Sequence, residues 1–213
     1  MDFFHYLKHP AKQKRGELTS LAILESALDL IEKGHISYEK ITLKDLSNQT
    51  GFSIGTIYRY FEDKDDLLAS LGGFYLSKIH IQAKEILNEF PDHGNFRNLL
   101  ETLIDHYLDN LKSHDLHQFI PIYRLFIRSL LEPELVRKLI DQLIPDFIQA
   151  SKRNTSETFP NIETDALRIY LRGLSAMIFS PALEKDPFFF SKSYRILLID
   201  TTEHFMRNIT LQE

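Results

Sequence analysis

Apolar residues recur along most of the chain at the three- and four-residue spacing of amphipathic helices, and short polar breaks separate the apolar runs. The first strong run covers residues 19–33 on one broad face, and Gly34 follows it as a predicted C-cap. Helices are predicted over residues 19–33, 42–50, 54–60, 63–90, 95–112, 116–131, 133–151, 164–180 and 189–209. The pattern therefore predicts an all-α chain of about nine helices, with short helices first and a larger helical body after them.

Composition supports the same fold class. The chain has 213 residues, with 32 leucines and 22 isoleucines against a single valine, so it is poorly supplied for β-sheets. Eight glycines and eight prolines leave room for long helices. The absence of cysteine excludes disulfides, thiolate nucleophiles and Cys-ligated zinc. No run is long and apolar enough for a membrane span or a secretory signal, so we expect a cytoplasmic protein without a membrane partner.

The strongest local signal begins at residue 42. Thr42 is placed to cap a short helix, with Asp45 three residues later, and Ile41 can pack onto Leu46 across that cap. Gly51 follows the helix where a tight turn needs a positive φ angle. A second short helix is therefore expected directly after the turn.

That second helix is specified in the same way. Ser53 is its predicted cap, and Phe52 can pack onto Ile57 across the cap. Two short amphipathic helices joined by a turn that contains glycine are typical of a helix-turn-helix, with Leu46, Phe52 and Ile57 as the apolar contacts between them. The competing interpretation is a helical hairpin in some other all-α domain.

The residues of this region resemble the tetracycline-repressor (TetR) family of bacterial transcriptional regulators. The resemblance covers 23–31, Gly34, 41–47, 50–61 and 64–68, and the run Gly-Thr-Ile-Tyr-Arg-Tyr-Phe with the following Asp-Lys and Leu-Leu is its densest part. One departure is the serine at position 47, where the family usually has alanine. The resemblance implies a helix-turn-helix DNA-binding domain in residues 1–66 and a helical effector-binding and dimerisation domain in residues 67–213.

Candidate DNA contacts follow from chemistry at these positions. Helix N-termini and hydroxyls suit phosphate oxygens, an arginine fork suits the guanine edge, and a glycine permits close approach to the duplex. The candidates are Lys12, Lys14, Arg15, Thr42, Ser53, Gly55, Thr56, Tyr58, Arg59, Tyr60 and Lys64. The alternative is that these polar residues only coat a solvated face.

Charge restricts this interpretation. The chain carries a net charge of −5, and residues 1–64 hold nine Lys/Arg against nine Asp/Glu, so the domain as a whole is not basic. Positive charge is local, in an arm that contains Lys8, Lys12, Lys14 and Arg15 and has no acid between residues 3 and 16. Such an arm can add phosphate or minor-groove contacts, or it can be a solvated terminus.

Two patterns suggest other chemistry but lack its context. Residues 51–55 match the G-x-S-x-G of hydrolase nucleophile elbows, which requires a preceding strand where a helix is predicted here. His114 and His117 have helical metal-site spacing, yet two histidines near a helix start are more often surface residues. His80 and His106 could be either surface or pocket residues. No metal, cofactor or catalytic set is predicted.

The larger body carries two further predictions that the resemblance implies. Aromatic residues of the middle helices would enclose an effector pocket: Phe74, Tyr75, Tyr107, Phe119, Tyr123, Phe126 and Phe147. Two stripes on the last helices would form a homodimer interface: Leu167, Leu171, Leu174, Ile178, Tyr194, Leu197, Leu198, Thr201 and Phe205. A solid core explains the first set without a ligand, and burial within one chain explains the second without a partner.

The function expected from these observations is transcriptional regulation. The chain is predicted to bind a palindromic, double-stranded DNA operator as a homodimer and to be released by a small, largely apolar effector that the sequence does not identify. The alternative is a helical small-molecule-binding or carrier protein that no longer binds DNA. An enzyme is the third class considered, and no coherent set of catalytic residues supports it.

Overall fold

The computed structural model describes residues 14–113, 141–184 and 186–208. Every regular element in these residues is a helix, and there are eight of them, so the predicted all-α class is confirmed. They are α1 (Lys14–Glu32), α2 (Leu43–Thr50), α3 (Ile54–Tyr60), α4 (Lys64–Glu89), α5 (Phe96–Ser113), α6 (Ile144–Arg153), α7 (Thr164–Glu184) and α8 (Lys192–Asn208). The predicted helix over 116–131 and residues 133–140 of the one over 133–151 lie outside the described residues. In the described part of the second, a turn at residues 142–143 precedes α6, so the continuous helix predicted there is wrong at that turn.

The chain divides into two compact units. The described part of the first comprises residues 14–78, and that of the second comprises residues 79–113, 141–184 and 186–208. The helix α4 belongs to both, because it runs without a break from Lys64 to Glu89. The boundary predicted between residues 66 and 67 stays a prediction.

The first unit is organised around buried apolar side chains from each of its helices. Ile23 and Leu24 of α1, Leu46 of α2 and Ile57 of α3 are fully buried, and Leu67 of α4 is as well. Since α2 and α3 are too short to be stable alone, this shared burial supplies the stabilisation that local hydrogen bonds do not.

The second unit has a contiguous core to which α4, α5, α6, α7 and α8 all contribute. Its buried members are Leu87, Phe96, Leu99, Leu100, Ile144, Phe147, Ala150, Ile162, Leu167, Tyr170 and Met206. Phe96 is central in the aromatic packing, with Phe147 and Phe159 edge-on at centroid distances of 6.4 and 5.1 Å.

Hydrogen bonds connect the segment after α6 to the start of α5 and to the turn before it. Asn154 donates its side-chain amide to the carbonyls of Pro91 and Gly94, and Thr158 accepts the backbone N–H of Phe96 at 3.0 Å. The first turn of a helix leaves backbone N–H groups without helical partners, so Thr158 acts as a cap supplied from 62 residues away. Sequence spacing alone does not reveal such a cap.

The helix α7 is longer than predicted. We predicted that it ends at residue 180, before Pro181, but it continues through Pro181 to Glu184. A proline inside a helix removes one backbone donor and crowds the carbonyl four residues earlier, and neighbouring structure can compensate for both effects. No helix in the described part of the chain is long and apolar enough to cross a membrane.

Candidate functional site

The helix α2 begins at the predicted cap. Thr42 has extended backbone angles, its Oγ1 accepts the backbone N–H of Asp45 at 3.1 Å, and its hydroxyl donates to Asp45 Oδ2 at 2.6 Å. Ile41 and Leu46 on either side of the cap are both fully buried. The start of the helix-turn-helix is thus determined by residues within five positions of one another, as predicted.

The turn between α2 and α3 is held by hydroxyl groups as well as by glycine. Gly51 has φ 74°, which places it in the left-handed region as expected. Ser47 donates its hydroxyl to the carbonyl of Phe52 at 2.7 Å, and Thr50 accepts the Phe52 N–H at 3.3 Å. Both backbone polar groups of Phe52, its N–H and its carbonyl, are therefore hydrogen-bonded to side chains of α2.

The helix α3 starts at the second predicted cap. Ser53 is extended, and its Oγ accepts the Thr56 N–H at 3.1 Å and lies 2.8 Å from Thr56 Oγ1. Ile57 is the buried residue of this seven-residue helix and has no exposed surface. The predicted packing of Ile57 into the domain is confirmed, whereas Phe52 is only half-buried.

The outward side of α3 carries candidate contacts for DNA. At about 100° per residue, Gly55 and Arg59 lie nearly opposite Ile57, with Tyr58 beside them. All three are exposed, Tyr58 by 57%. A Cβ built on Gly55 would meet no atom within 4 Å. In the described part of the chain, the side chains of Arg59 and Tyr58 make no hydrogen bond or ion pair, so both are available to a partner.

The remaining candidates on and around α3 are more constrained. Thr56 is half-buried and its hydroxyl interacts with that of Ser53, and Tyr60, four residues later on the same side of the helix, is half-buried as well. The hydroxyls of Thr42 and Ser53 both serve as helix caps. A phosphate at these positions would therefore meet backbone N–H groups and hydroxyls that are already oriented.

Lys64 opens α4, and a neighbouring backbone carbonyl orients it. Its ammonium donates to the carbonyl of Glu39, and the side chain is half-buried. Behind it, Asp63 accepts the Asp66 N–H at 2.8 Å, and Asp66 accepts the Glu62 N–H at 2.9 Å. The carbonyl orients Lys64 but does not neutralise its charge.

The basic arm is described only in part. Lys14 and Arg15 form the exposed first turn of α1, and Lys12 lies outside the described residues. Sequence reasoning missed three exposed polar residues on α2, namely Lys44, Asn48 and Gln49. Their positions relative to the apolar Leu43 and Leu46 could have placed them on the outward face of the helix.

The predicted pocket residues fall into different environments. In the first unit, Phe74 and Tyr75 are buried. In the second unit, Phe147 is 3% exposed and belongs to the core, whereas Tyr107 is half-buried and its pKa is raised by desolvation. Phe119, Tyr123 and Phe126 lie outside the described residues. For all of the predicted pocket residues, a role in a pocket stays a prediction.

Polar side chains surround Tyr107. His80 and His106 pack edge-on to its ring at centroid distances of 6.0 and 5.5 Å. His106 Nε2 lies 3.0 Å from the carbonyl of Ile79, so it must be the protonated nitrogen, and Nδ1 can accept from Asn110. In the described residues, no group of three His, Asp or Glu side chains could hold a metal ion, and His114 and His117 lie outside them.

The residues predicted for a dimer interface divide between the core and the surface. Leu167, Ile178 and Leu198 are buried within the chain itself, and Leu171, Leu174 and Phe205 pack against the core of the second unit. Tyr194 is half-buried, whereas Leu197 and Thr201 are exposed. Sequence reasoning missed two exposed isoleucines on the same helices, Ile169 and Ile196, at 54% and 39%.

Comparisons with known proteins find a family match that lies within the first unit. Residues 23–71 match the model of a family described as bacterial regulatory proteins, tetR family. Over 99 residues the chain is 29% identical to the HTH-type transcriptional regulator SAR0097 of Staphylococcus aureus (strain MRSA252). That alignment covers 46% of this chain and 50% of the relative, so the chain spans about half the length of the curated relative that it matches.

A solved structure is similar over most of the chain. It is the crystal structure of a TetR family transcriptional regulator, PfmR from Thermus thermophilus, at 16% identity and a TM-score of 0.49. The match covers 89% of this chain and 99% of that one. The family model covers both helices of the helix-turn-helix and the turn between them, so this part of the chain is similar to the tetR family of bacterial regulatory proteins.

Proposed function

We propose that this protein is a transcriptional repressor. It binds a palindromic operator as a homodimer and leaves the operator when a small effector binds. The observation that carries the DNA-binding part is the outward face of α3. Arg59 and Tyr58 are exposed and uncommitted there, Gly55 leaves the backbone open, and Ile57 anchors the helix from behind.

The dimensions of α3 suit the major groove. A seven-residue helix is about 10 Å long, and the groove is about 12 Å wide. Arg59 can present two N–H groups to O6 and N7 of one guanine, and Tyr58 can contact an adjacent phosphate or base. The N-termini of α2 and α3, capped by Thr42 and Ser53, can receive phosphates and fix the register.

The homodimer is supported by apolar surface on the last two helices. On α7, Ile169 is exposed and a Cβ at Gly173 would meet no atom within 4 Å. On α8, Ile196 and Leu197 are exposed by 39% and 49%. Exposed isoleucine and leucine side chains lose unfavourable contact with water when a second copy covers them, and a two-fold dimer matches a palindromic site.

The effector is proposed to be small and largely apolar. The aromatic content of the middle helices supports this, and in the second unit Tyr107 and His106 could orient the polar end of such a molecule. Its identity would come from screening small apolar compounds for release of the bound operator.

The test is selection of bound duplexes from random DNA at near-physiological salt, with the full chain as bait. We expect enrichment of an inverted repeat whose half-sites lie about one helical turn apart. Arg59→Ala serves as the matched variant and should enrich a different or weaker motif. If the full chain enriches no motif, the DNA-binding proposal is wrong, and the carrier interpretation becomes the better one.

A further inference from the structure

We infer that the hydroxyls of Ser47 and Thr50 act as a clamp on the backbone of Phe52 and thereby set the angle at which α3 meets DNA. This inference rests on the proposed DNA binding and assigns two positioning residues that themselves need not touch the duplex.

The clamp joins one helix to the entrance of the next. Ser47 donates to the Phe52 carbonyl at 2.7 Å, and Thr50 Oγ1 accepts the Phe52 N–H at 3.3 Å. Thr50 also donates its own proton to the Leu46 carbonyl at 2.7 Å, which leaves its oxygen lone pairs free to accept. Both ends of the clamp are therefore anchored on α2.

The clamped residue immediately precedes the cap of α3. Ser53 is that cap, and its carbonyl accepts the N–H groups of Thr56 and Ile57 at 2.9 and 3.1 Å. A change in the backbone angles of Phe52 would therefore carry through Ser53 into the axis of the whole helix. The three-residue turn leaves no further residues in which such a change could be absorbed.

The apolar anchors of α3 lie at its middle and its C-terminal end. Its seven residues are too few for a stable isolated helix, and Ile57 within it and Phe61 at its C-cap are buried. These two contacts leave the N-terminal end of the helix less restrained. Arg59 needs a fixed tilt to present two donors to one guanine, so the hydroxyl clamp supplies a restraint at the end that the apolar contacts do not hold.

The experiment compares matched hydroxyl deletions in the full chain. Ser47→Ala removes the hydrogen bond to the Phe52 carbonyl, and Thr50→Val removes the one from the Phe52 N–H. Ser26→Ala is the control, because the Ser26 hydroxyl also donates to a backbone carbonyl, that of Ala22 at 2.8 Å, but within α1. Each variant is titrated by fluorescence anisotropy against the selected operator and against a random duplex of equal length.

We expect Ser47→Ala to bind the operator about five- to tenfold more weakly, the size expected from one lost hydrogen bond. Its affinity for the random duplex should stay within about twofold, because that binding depends on charge and not on the tilt of α3. Ser47→Thr should restore operator affinity, since it returns the hydroxyl. Ser26→Ala should change neither affinity.

Amide hydrogen exchange gives a readout that does not depend on DNA. In Ser47→Ala the N–H groups of Phe52 and Thr56 should exchange faster, while those of α1 keep their wild-type rates. Equal amide exchange rates in Ser47→Ala and wild type would overturn the inference.

Two binding outcomes distinguish this inference from the proposed function. If the wild-type chain binds an operator and Ser47→Ala binds it equally well, or loses affinity for both duplexes alike, the inference alone is overturned. If the wild-type chain enriches no duplex, the proposed function fails and this inference fails with it.

Discussion

Tyr194 donates its phenolic hydroxyl to the carbonyl of Met177 at 2.6 Å. Met177 lies four residues before Pro181, so its carbonyl is the one whose helical donor the proline removes. Partial burial, together with the nearby charges of Asp186 and Glu184, raises the pKa of Tyr194, and the phenol keeps its proton as a donor. This hydrogen bond explains how α7 continues through a proline.

The first prediction tests that compensation. Tyr194→Phe should lower the free energy of unfolding by about 1 kcal/mol, because the Met177 carbonyl loses its donor. In a Pro181→Ala background the backbone N–H of residue 181 is restored, so the same change should cost clearly less. Urea denaturation of the four proteins in this cycle measures the coupling. An equal cost of Tyr194→Phe in both backgrounds would contradict the explanation.

The second prediction concerns an ion-pair network between α5 and α8. Glu203 accepts from Arg97 at 2.7 Å and from Arg207 at 3.0 Å. Desolvation alone would raise the pKa of Glu203, but the hydrogen bonds from the two arginines outweigh it and hold the pKa below its ordinary value. A depressed pKa contributes stability above the unfolded value, about 4.3, and that contribution is lost as pH falls through the folded value.

Glu203→Gln should therefore lower the free energy of unfolding at pH 7 by about 0.5–1 kcal/mol. The difference from wild type should shrink as pH falls below about 4.3. Denaturant titrations across this range measure the effect. Glu85→Gln, at an exposed position of α4, is the control and should show no such trend. A difference between Glu203→Gln and wild type that is independent of pH would contradict the assigned role of the carboxylate.

The third prediction separates charge from geometry at Arg59. Arg59→Ala should cost about 1–3 kcal/mol on the selected operator and much less on an operator changed at the contacted base pair. Arg59→Lys keeps the charge but loses the planar fork, so it should resemble alanine on the operator and wild type on random DNA. Equal losses on every sequence would make Arg59 a phosphate contact, and specificity would then depend on Thr56, Tyr60 or DNA shape.

The fourth prediction concerns Lys64, which should bind phosphate as a point charge. Lys64→Ala should weaken binding to operator and random duplex alike and reduce the slope of log affinity against log salt by about one unit. Lys33→Ala is the control, since the carboxylate of Asp29 already compensates that lysine at 2.8 Å. An unchanged salt slope in Lys64→Ala would show that the ammonium stays on the Glu39 carbonyl and does not reach DNA.

The fifth prediction tests the homodimer face. Ile169→Glu and Leu197→Glu should each weaken self-association at least about tenfold, because a charge would be buried without a partner. Ile81→Glu is the matched control, since Ile81 is 41% exposed on α4, outside the proposed face. Sedimentation velocity over a concentration series gives the dissociation constants. Equal sedimentation of all three variants and wild type would place the interface elsewhere.

Features that depend on neighbours within about one helical turn follow from the order of residues along the chain. The caps at Thr42 and Ser53, the left-handed Gly51 and the buried Ile57 were predicted and are confirmed. Each cap joins a side chain to a backbone N–H three residues later, Gly51 needs only its own backbone angles, and apolar spacing marks Ile57 as the inward position of its helix. The helix-turn-helix is strongly specified for this reason.

Features whose partners are distant in sequence depend on how the helices pack and could not be predicted from spacing. Apolar spacing marked Leu167 as an interface candidate, but packing buries it in its own core and leaves Ile169 exposed two residues later. Proline chemistry predicted an end at residue 180, and a phenol thirteen residues beyond Pro181 lets the helix continue. Periodicity fixes which residues share a helix face, whereas the elements that pack there decide which face is covered.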